Sequence, residues 1–351
     1  MKKEVSVYLD LIRVVAAIAV FLSHFGIWAR VPRLIGTYAH PAVIAFFVIS
    51  GYVIAYVSTE RETDLTSYTI SRTTRIYSVA IPALIITAAV DIFLQNKGLV
   101  IGRPYQLSKP WKYVPLFLAF GTDWWILKED AFSNVPYWSL CYEVWYYVLF
   151  ASYRYFTGHK RLLLCGAILL LVGPRLWLLL PIWLSGVWLY DAHAHATWRR
   201  GAARAVWGIT LVGLALLLFG GLYGAINDSL SLIIGDDIHQ NMRYSGFFMG
   251  DYVFTSFIIL NIYAISSCDC AFYLNYFNKP IRYMATLTFS LYLFHYPLLE
   301  LFSQWLTPLP LAIAVLVAVW SLTRMTEWLR VAVRSRAAMI LLPSKAEMHS
   351  R

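Results

Sequence analysis

Arg13 and His24 are two ionisable residues in an N-terminal run that is otherwise apolar and long enough to cross a bilayer. They are eleven residues apart, so on an α-helix they lie roughly 20° from whole turns and share one face. The helical rise separates them by about 16 Å, near half the thickness of the hydrocarbon core. Ionisable side chains inside a membrane are costly and usually mark a site. The pair predicts a site for an anionic ligand whose reactive end reaches inward to the histidine.

Histidine suits acid–base chemistry, because its unperturbed pKa of about 6.5 lies near working pH. His24 can therefore take a proton from an attacking hydroxyl, or carry an acyl group itself, and the sequence does not separate these roles. The alternative for His24 is a satisfied packing residue. The alternatives for Arg13 are a snorkelling anchor and an ion pair with Asp10, three residues earlier.

Arg72 and Arg75 form a second pair, three residues apart, so on a helix they project from one side. Two guanidiniums facing one way suit phosphate recognition, because each offers parallel N–H donors. The alternative is topological, since arginines gather at cytoplasmic helix ends.

Glu143 lies in an aromatic run that begins Tyr137-Trp138, and a carboxylate in such surroundings needs a partner. It can orient a histidine or bind a sugar hydroxyl, with Trp138 as a further candidate for substrate binding. The same aromatic residues also fit an ordinary interfacial belt. His295, two residues before a proline near a predicted helix end, either contacts substrate or simply caps and packs.

The composition predicts an all-α, polytopic membrane protein, because 60% of the 351 residues are hydrophobic, only 14% are charged, and mean hydropathy is +0.61. The net charge of +10 does not predict nucleic-acid binding, since Lys and Arg at helix ends are topology determinants. No metal site is predicted. Apolar segments fall at about residues 7–28, 41–57, 76–95, 113–127, 138–157, 162–174, 176–191, 206–224, 246–266, 285–301 and 308–330.

The basic residues predict ten spans with both termini cytoplasmic, provided that segment 113–127 is re-entrant or interfacial. Every later basic cluster then falls on the cytoplasmic side. Residues 1–330 form one transmembrane domain and 331–351 a short cytoplasmic tail. The polar stretch 225–245 is then external, and we interpret it as a solvated loop or, alternatively, as a contact for an acceptor.

Five motifs in order resemble the acyltransferase 3 family, bacterial membrane proteins that O-acylate cell-surface carbohydrates. They span residues 7–300 and are specific as a set. The matching places are Asp10-Leu-Ile-Arg13 leading to His24, Phe46–Gly51, Arg72 with Arg75, Trp138-Ser-Leu leading to Glu143, and Ser290–Pro297. Before the resemblance is considered, Phe46–Gly51 indicates only close helix packing.

The resemblance implies ten spans, cytoplasmic acyl-CoA as donor (acetyl-CoA in our interpretation) and an acceptor hydroxyl at the outer face of the bacterial inner membrane. Carried over by position, Arg13 and His24 are the essential pair, and Arg72 and Arg75 serve the donor. Expected acceptors are polysaccharide, oligosaccharide or lipid-linked sugar, with a small molecule as a further alternative. We assign Glu143, His295 and Trp138 to substrate and expect no metal. The alternative function is a transporter or flippase whose ionisable residues line a path.

Overall fold

A computed structural model describes residues 2–29, 38–99, 102–194, 198–268, 274 and 276–341. These residues form α-helices and short 3-10 turns without a β-strand, which confirms the predicted all-α class. The predicted tail 331–351 begins inside the last helix, and its final ten residues lie outside the described part. The helices are α1 (Lys3–Trp28), α2 (Ala39–Glu60), α3 (Leu65–Asn96), α4 (Pro104–Ser108), α5 (Pro110–Leu118), α6 (Trp138–Tyr155), α7 (Gly158–Val172), α8 (Pro174–Ala194), α9 (Arg200–Phe219), α10 (Leu222–Ile234), α11 (Asp236–Met242), α12 (Phe248–Ile265), α13 (Asn278–Phe302) and α14 (Pro308–Leu341).

Six helical stretches in the described residues are long and apolar enough to cross a membrane. The number of ten crossings therefore remains a prediction. The six are Lys3–Trp28, Ala39–Glu60, Leu65–Asn96, Arg200–Phe219, Asp236–Ile265 and Pro308–Arg336.

Two predicted segments differ in form from the spanning helices. The apolar stretch 113–127 contributes only to α5, whose 9 residues extend about 14 Å by helical rise, far short of a bilayer core of about 30 Å. This length supports a segment that does not cross. The stretch 225–245 is mostly helical in α10 and α11, so its interpretation as a loop is wrong.

The chain divides into two compact units, the first comprising Met1–Tyr56, Asp123–Lys128 and Leu171–Thr288. Inside this unit α12 packs on α8, α9, α10 and α1. A buried polar network joins three of these helices, because Tyr8 donates to Asn261 and Asn261 Nδ2 donates to Thr210 Oγ1 at 2.8 Å. Such hydrogen bonds hold apolar helices in register where hydrophobic burial cannot distinguish one register from another.

Helices α2 and α8 approach each other closely through Gly51 and Gly186. A Cβ atom on Gly51 would lie 2.0 Å from the Trp183 carbonyl oxygen, and one on Gly186 would lie 1.9 Å from the Val48 carbonyl oxygen. The contact is reciprocal, since each glycine meets the carbonyl three residues before the other. The packing role predicted for Phe46–Gly51 is confirmed.

The second unit comprises Val57–Thr122, Glu129–Leu170 and Phe289–Arg351. Helix α3 packs along α14 and also contacts α6. Asn134 Nδ2 donates to the Leu293 carbonyl oxygen at 2.9 Å, and Ser139 Oγ lies 2.8 Å from the Tyr292 hydroxyl. These bonds fix the start of α6 against α13 within the unit.

Asp64 caps the N-terminus of α3, where its Oδ1 accepts from the Ser67 backbone N–H at 2.8 Å and its Oδ2 from the Ser67 hydroxyl at 2.6 Å. These hydrogen bonds lower the pKa of the Asp64 carboxyl. The stabilisation is therefore present above the ordinary aspartate pKa of about 3.9 and is lost as pH falls through the lowered folded value.

We expect Asp64→Ala to cost about 1 kcal/mol, because an N-terminal N–H of α3 loses its acceptor. The measurement is the melting temperature of the purified protein in detergent at neutral pH. Asp64→Asn keeps an acceptor oxygen and should retain most of the stability. Equal melting temperatures for the wild type and Asp64→Ala would contradict the capping role.

Candidate functional site

Arg13 and His24 lie on the single continuous helix α1, so the face-sharing predicted from their spacing applies. Arg13 Nη1 lies 3.6 Å from Asp10 Oδ1, and Arg282 Nη1 lies 3.6 Å from Asp10 Oδ2. The predicted ion pair with Asp10 therefore forms. Because one carboxylate faces two guanidiniums, this end of α1 keeps an excess of positive charge.

His24 is partly buried, and its imidazole makes a backbone hydrogen bond at Val20, one turn earlier on α1. The hydroxyl of the adjacent Ser23 donates to the Ala19 carbonyl oxygen at 2.8 Å. A backbone bond on one ring nitrogen fixes the orientation of an imidazole. The acid–base role of His24 stays a prediction.

Arg72 is a buried arginine near the start of α3. Its Nη2 donates to Glu62 Oε1 at 2.7 Å and to Ser71 Oγ at 3.0 Å, and its guanidinium carbon lies 5.9 Å from the centre of the Tyr68 ring. A buried charge pair of this kind fixes geometry, and removing one partner is costly because the other is left uncompensated. Arg72 is therefore held rigidly.

A cavity of about 370 Å³ opens beside Arg72 in the second unit, and we call it the arginine cleft. Its described lining includes five guanidiniums and a single carboxylate, that of Glu62. Arg75 and Arg334 have no ion-pair partner within the described residues, whereas Arg330 pairs with Glu327 at 2.8 Å. The five arginines are Arg61, Arg72, Arg75, Arg330 and Arg334.

The cleft confirms that Arg72 and Arg75 lie together and adds arginines that sequence reasoning assigned to topology alone. Arg330 and Arg334 are four residues apart, a spacing that places both on one face of α14. That spacing is visible in the sequence. The packing of α14 along α3, which brings this face to the cleft, is not.

Glu143 is linked to the same arginines through Tyr147. The Tyr147 hydroxyl donates to Glu143 Oε1, and the charges of Glu143, Arg75 and Arg72 all act on that hydroxyl. Tyr68 in turn donates to the Tyr147 carbonyl oxygen at 3.1 Å. The carboxylate predicted to need a partner thus has one, the hydroxyl of Tyr147.

Trp138 and His295 are both buried in the second unit. The Trp138 ring packs edge-on against Tyr142 with centroids 5.3 Å apart. His295 Nδ1 lies 2.8 Å from the carbonyl oxygen of Leu291 on its own helix, and its ring is 6.5 Å from that of Tyr292. The second unit therefore gathers Glu143, His295 and the two predicted donor-side arginines, while Arg13 and His24 belong to the first unit.

The described residues contain no group of three or more His, Cys, Asp or Glu side chains that could hold a metal ion. The charged groups described above include arginines and the carboxylates of Asp10, Glu62 and Glu143. Sites of this kind bind anions and move protons.

The fold and these residues describe a helical membrane protein with an arginine-lined cleft. A family model described as an acyltransferase domain (Acyl_transf_3) matches residues 6–324, nearly the whole chain. The chain therefore belongs to this family of membrane acyltransferases, as its five motifs predicted. No curated protein matches the chain significantly, and no solved structure does so either.

Proposed function

We propose that the protein transfers an acetyl group from acetyl-CoA to a hydroxyl of a cell-surface or exported carbohydrate in the bacterial inner membrane. The observation that carries the donor half of this proposal is the arginine cleft. Coenzyme A bears a pyrophosphate and a further phosphate, and guanidiniums bind phosphate oxygens through paired N–H donors. Five arginines around about 370 Å³ supply that chemistry.

In this proposal Arg72 provides the rigid part of the phosphate site, because Glu62 and Ser71 hold its guanidinium. Arg75 and Arg334 supply the charge that remains available for the ligand. We also propose Arg13, on the face it shares with His24, as a donor-binding residue. The basic clusters favour a cytoplasmic location for the cleft, on the side where acyl-CoA is found.

His24 is the proposed general base. It takes the proton from the acceptor hydroxyl as that oxygen attacks the thioester carbonyl, and the C–S bond then breaks to release coenzyme A as the thiol. A neutral imidazole is suited to accepting this proton at working pH. We propose that Glu143, anchored by Tyr147, orients a reacting group, and that Trp138 and His295 shape the substrate site.

The test of the donor site uses purified protein in amphipol and radiolabelled acetyl-CoA. We expect the wild type to bind acetyl-CoA, and Arg75→Ala and Arg334→Ala each to weaken binding by about 10- to 100-fold, since one charged hydrogen bond contributes about 1.5–3 kcal/mol. Arg72 is a poorer target, because its removal leaves the buried Glu62 carboxylate uncompensated.

The matched control is Arg336→Ala, an exposed arginine on the same helix as Arg334 that does not line the cleft. Its acetyl-CoA affinity should equal that of the wild type. Equal losses in Arg334→Ala and Arg336→Ala would refute a specific phosphate site. A wild type that binds no acetyl-CoA but moves an intact glycan across vesicles would favour the transporter alternative. Mass spectrometry of surface glycans, with and without the protein, identifies the acceptor.

A further inference from the structure

The first unit contains a cavity of about 390 Å³ that none of the motifs accounts for, and we call it the His40 cavity. It is formed by the start of α2, the end of α9, the start of α10 and the 3-10 turn before α12. Its volume lies within the range of ligand pockets, about 300–1,000 Å³. Its described lining is Tyr38, His40, Leu218, Gly221, Tyr223, Gly224, Asn227, Asp228 and Phe247.

A hydrogen-bonded chain positions His40 at this cavity. His40 Nε2 lies 3.0 Å from Asp251 Oδ2, and the Tyr223 hydroxyl donates to Asp251 Oδ1 at 2.6 Å. Asp251 is fully buried, so its carboxylate depends on hydrogen bonds from His40 and Tyr223 in place of water. A carboxylate on one ring nitrogen sets the tautomer and orientation of an imidazole, as it does in catalytic and metal sites.

The residues around His40 are also held in place by hydrogen bonds and packing. Asn227 is buried and braces the wall, because its Nδ2 donates to the Tyr223 carbonyl oxygen at 3.0 Å and its Oδ1 accepts from the Gly250 N–H at 3.2 Å. The His40 ring packs against Phe247 with centroids 4.9 Å apart. The buried His40–Asp251 pair, the Asn227 amide and the Phe247 ring together form an ordered polar network. Such a network is not expected on a surface that only contacts solvent.

The lining chemistry selects the class of ligand. Neither Lys nor Arg occurs among the described lining residues, and Asp228 adds a carboxylate, so the cavity does not suit phosphates. It offers aromatic rings beside hydroxyl, amide, carboxylate and imidazole groups, which can donate to and accept from hydroxyls. This set of groups suits a neutral ligand with apolar faces and several hydroxyls. A sugar ring is a ligand of this kind.

We propose that the His40 cavity binds a sugar unit of the acceptor, with His40 and Asp228 as hydrogen-bonding groups and Tyr38 and Phe247 as the apolar walls. The proposal rests on the proposed function, in which the acceptor is a carbohydrate. In the proposed orientation α2 starts at the outer surface, so the cavity opens toward the side from which an exported carbohydrate arrives.

The test uses saturation-transfer NMR on the full-length protein in amphipol, because sugar-headed detergents would compete. The probes are the methyl glycosides of glucose, galactose, mannose and rhamnose. We expect the wild type to transfer saturation to at least one of them. Gly224→Phe should reduce that signal by about fivefold or more, because the ring takes up space that the sugar would need. Gly224 lines the cavity and a Cβ there meets nothing within 4 Å, so we expect the larger side chain to be accepted and to occupy part of the cavity.

Gly208→Phe is the matched control, because Gly208 is also helical, also has open space at its Cβ, and does not line the cavity. Its signal should equal that of the wild type. His40→Gln provides a second variant, which keeps an N–H donor for the Asp251 carboxylate and is expected to lose the signal while the protein still folds and melts cooperatively. Absence of any glycoside signal in the wild type, or an unchanged signal in folded Gly224→Phe and His40→Gln, overturns the proposal. Acetyl-CoA binding, expected to be equal in all variants, separately tests the proposed function.

Discussion

His24→Ala is expected to lower the rate of acyl transfer by at least about 10²–10⁴-fold, the contribution of a positioned general base. The folded protein should still bind acetyl-CoA, because the arginine cleft belongs to the second unit. The imidazole bonds to the backbone of its own helix at Val20, so its removal should leave α1 intact. The measurements are transfer of radiolabelled acetyl to glycan, acetyl-CoA affinity and melting temperature.

Ser23→Ala is the neighbouring control, since the Ser23 hydroxyl donates to the Ala19 carbonyl oxygen of its own helix. It should retain transfer close to that of the wild type. Full activity in His24→Ala would refute the mechanism. Trapping the wild type with acetyl-CoA and locating the label by mass spectrometry separates the two roles of His24, because only an acyl carrier would hold acetyl on the ring.

Gly51→Ala is expected to prevent the protein from reaching a stable fold. The added methyl would lie 2.0 Å from the Trp183 carbonyl oxygen, and a backbone atom cannot rotate away as a side chain can. Overpacking of a tight interface costs about 1–3 kcal/mol or more, which is a large part of the stability of most proteins. Gly186→Ala should have the same effect through the Val48 carbonyl oxygen. Yield of monodisperse protein and melting temperature measure the loss.

The controls use the same substitution where the helix has room. A methyl group on Gly208 or Gly166 would meet nothing within 4 Å, so alanine there should be neutral or should stabilise by up to about 1 kcal/mol through helix propensity. Opposite signs at the two classes of glycine would establish the α2–α8 contact. If the Gly51→Ala protein had the same melting temperature as the wild type, these helices would be able to move apart without loss of stability.

Local spacing predicted the parts of the site that lie within one helix. The shared face of Arg13 and His24 and the side-by-side placement of Arg72 and Arg75 follow from helical periodicity once the helices are recognised. The small residues of Phe46–Gly51 likewise indicated close packing, because few other roles require glycine in a buried apolar helix.

Contacts between segments that are distant in the sequence could not be predicted from the spacing of residues within one helix. Arg334 reaches the arginine cleft only because α14 packs along α3. Glu62 carries no local signal of its pairing with Arg72, since charged residues between helices are ordinary. His40 carries none either, because Asp251, the residue that positions it, is 211 residues away along the chain. Pairings of that kind depend on tertiary packing, which a single sequence does not report.

The ion pair between Arg72 and Glu62 has a consequence for the rate of product release. An enzyme that bound the phosphates of coenzyme A with every available charge would bind the product, free coenzyme A, as tightly as the substrate, acyl-CoA. Product release would then limit the rate of each catalytic cycle. If the cleft binds coenzyme A as proposed, Glu62 competes with its phosphates for one N–H group of Arg72. In the proposed enzyme, a single carboxylate thereby exchanges some affinity for speed of release.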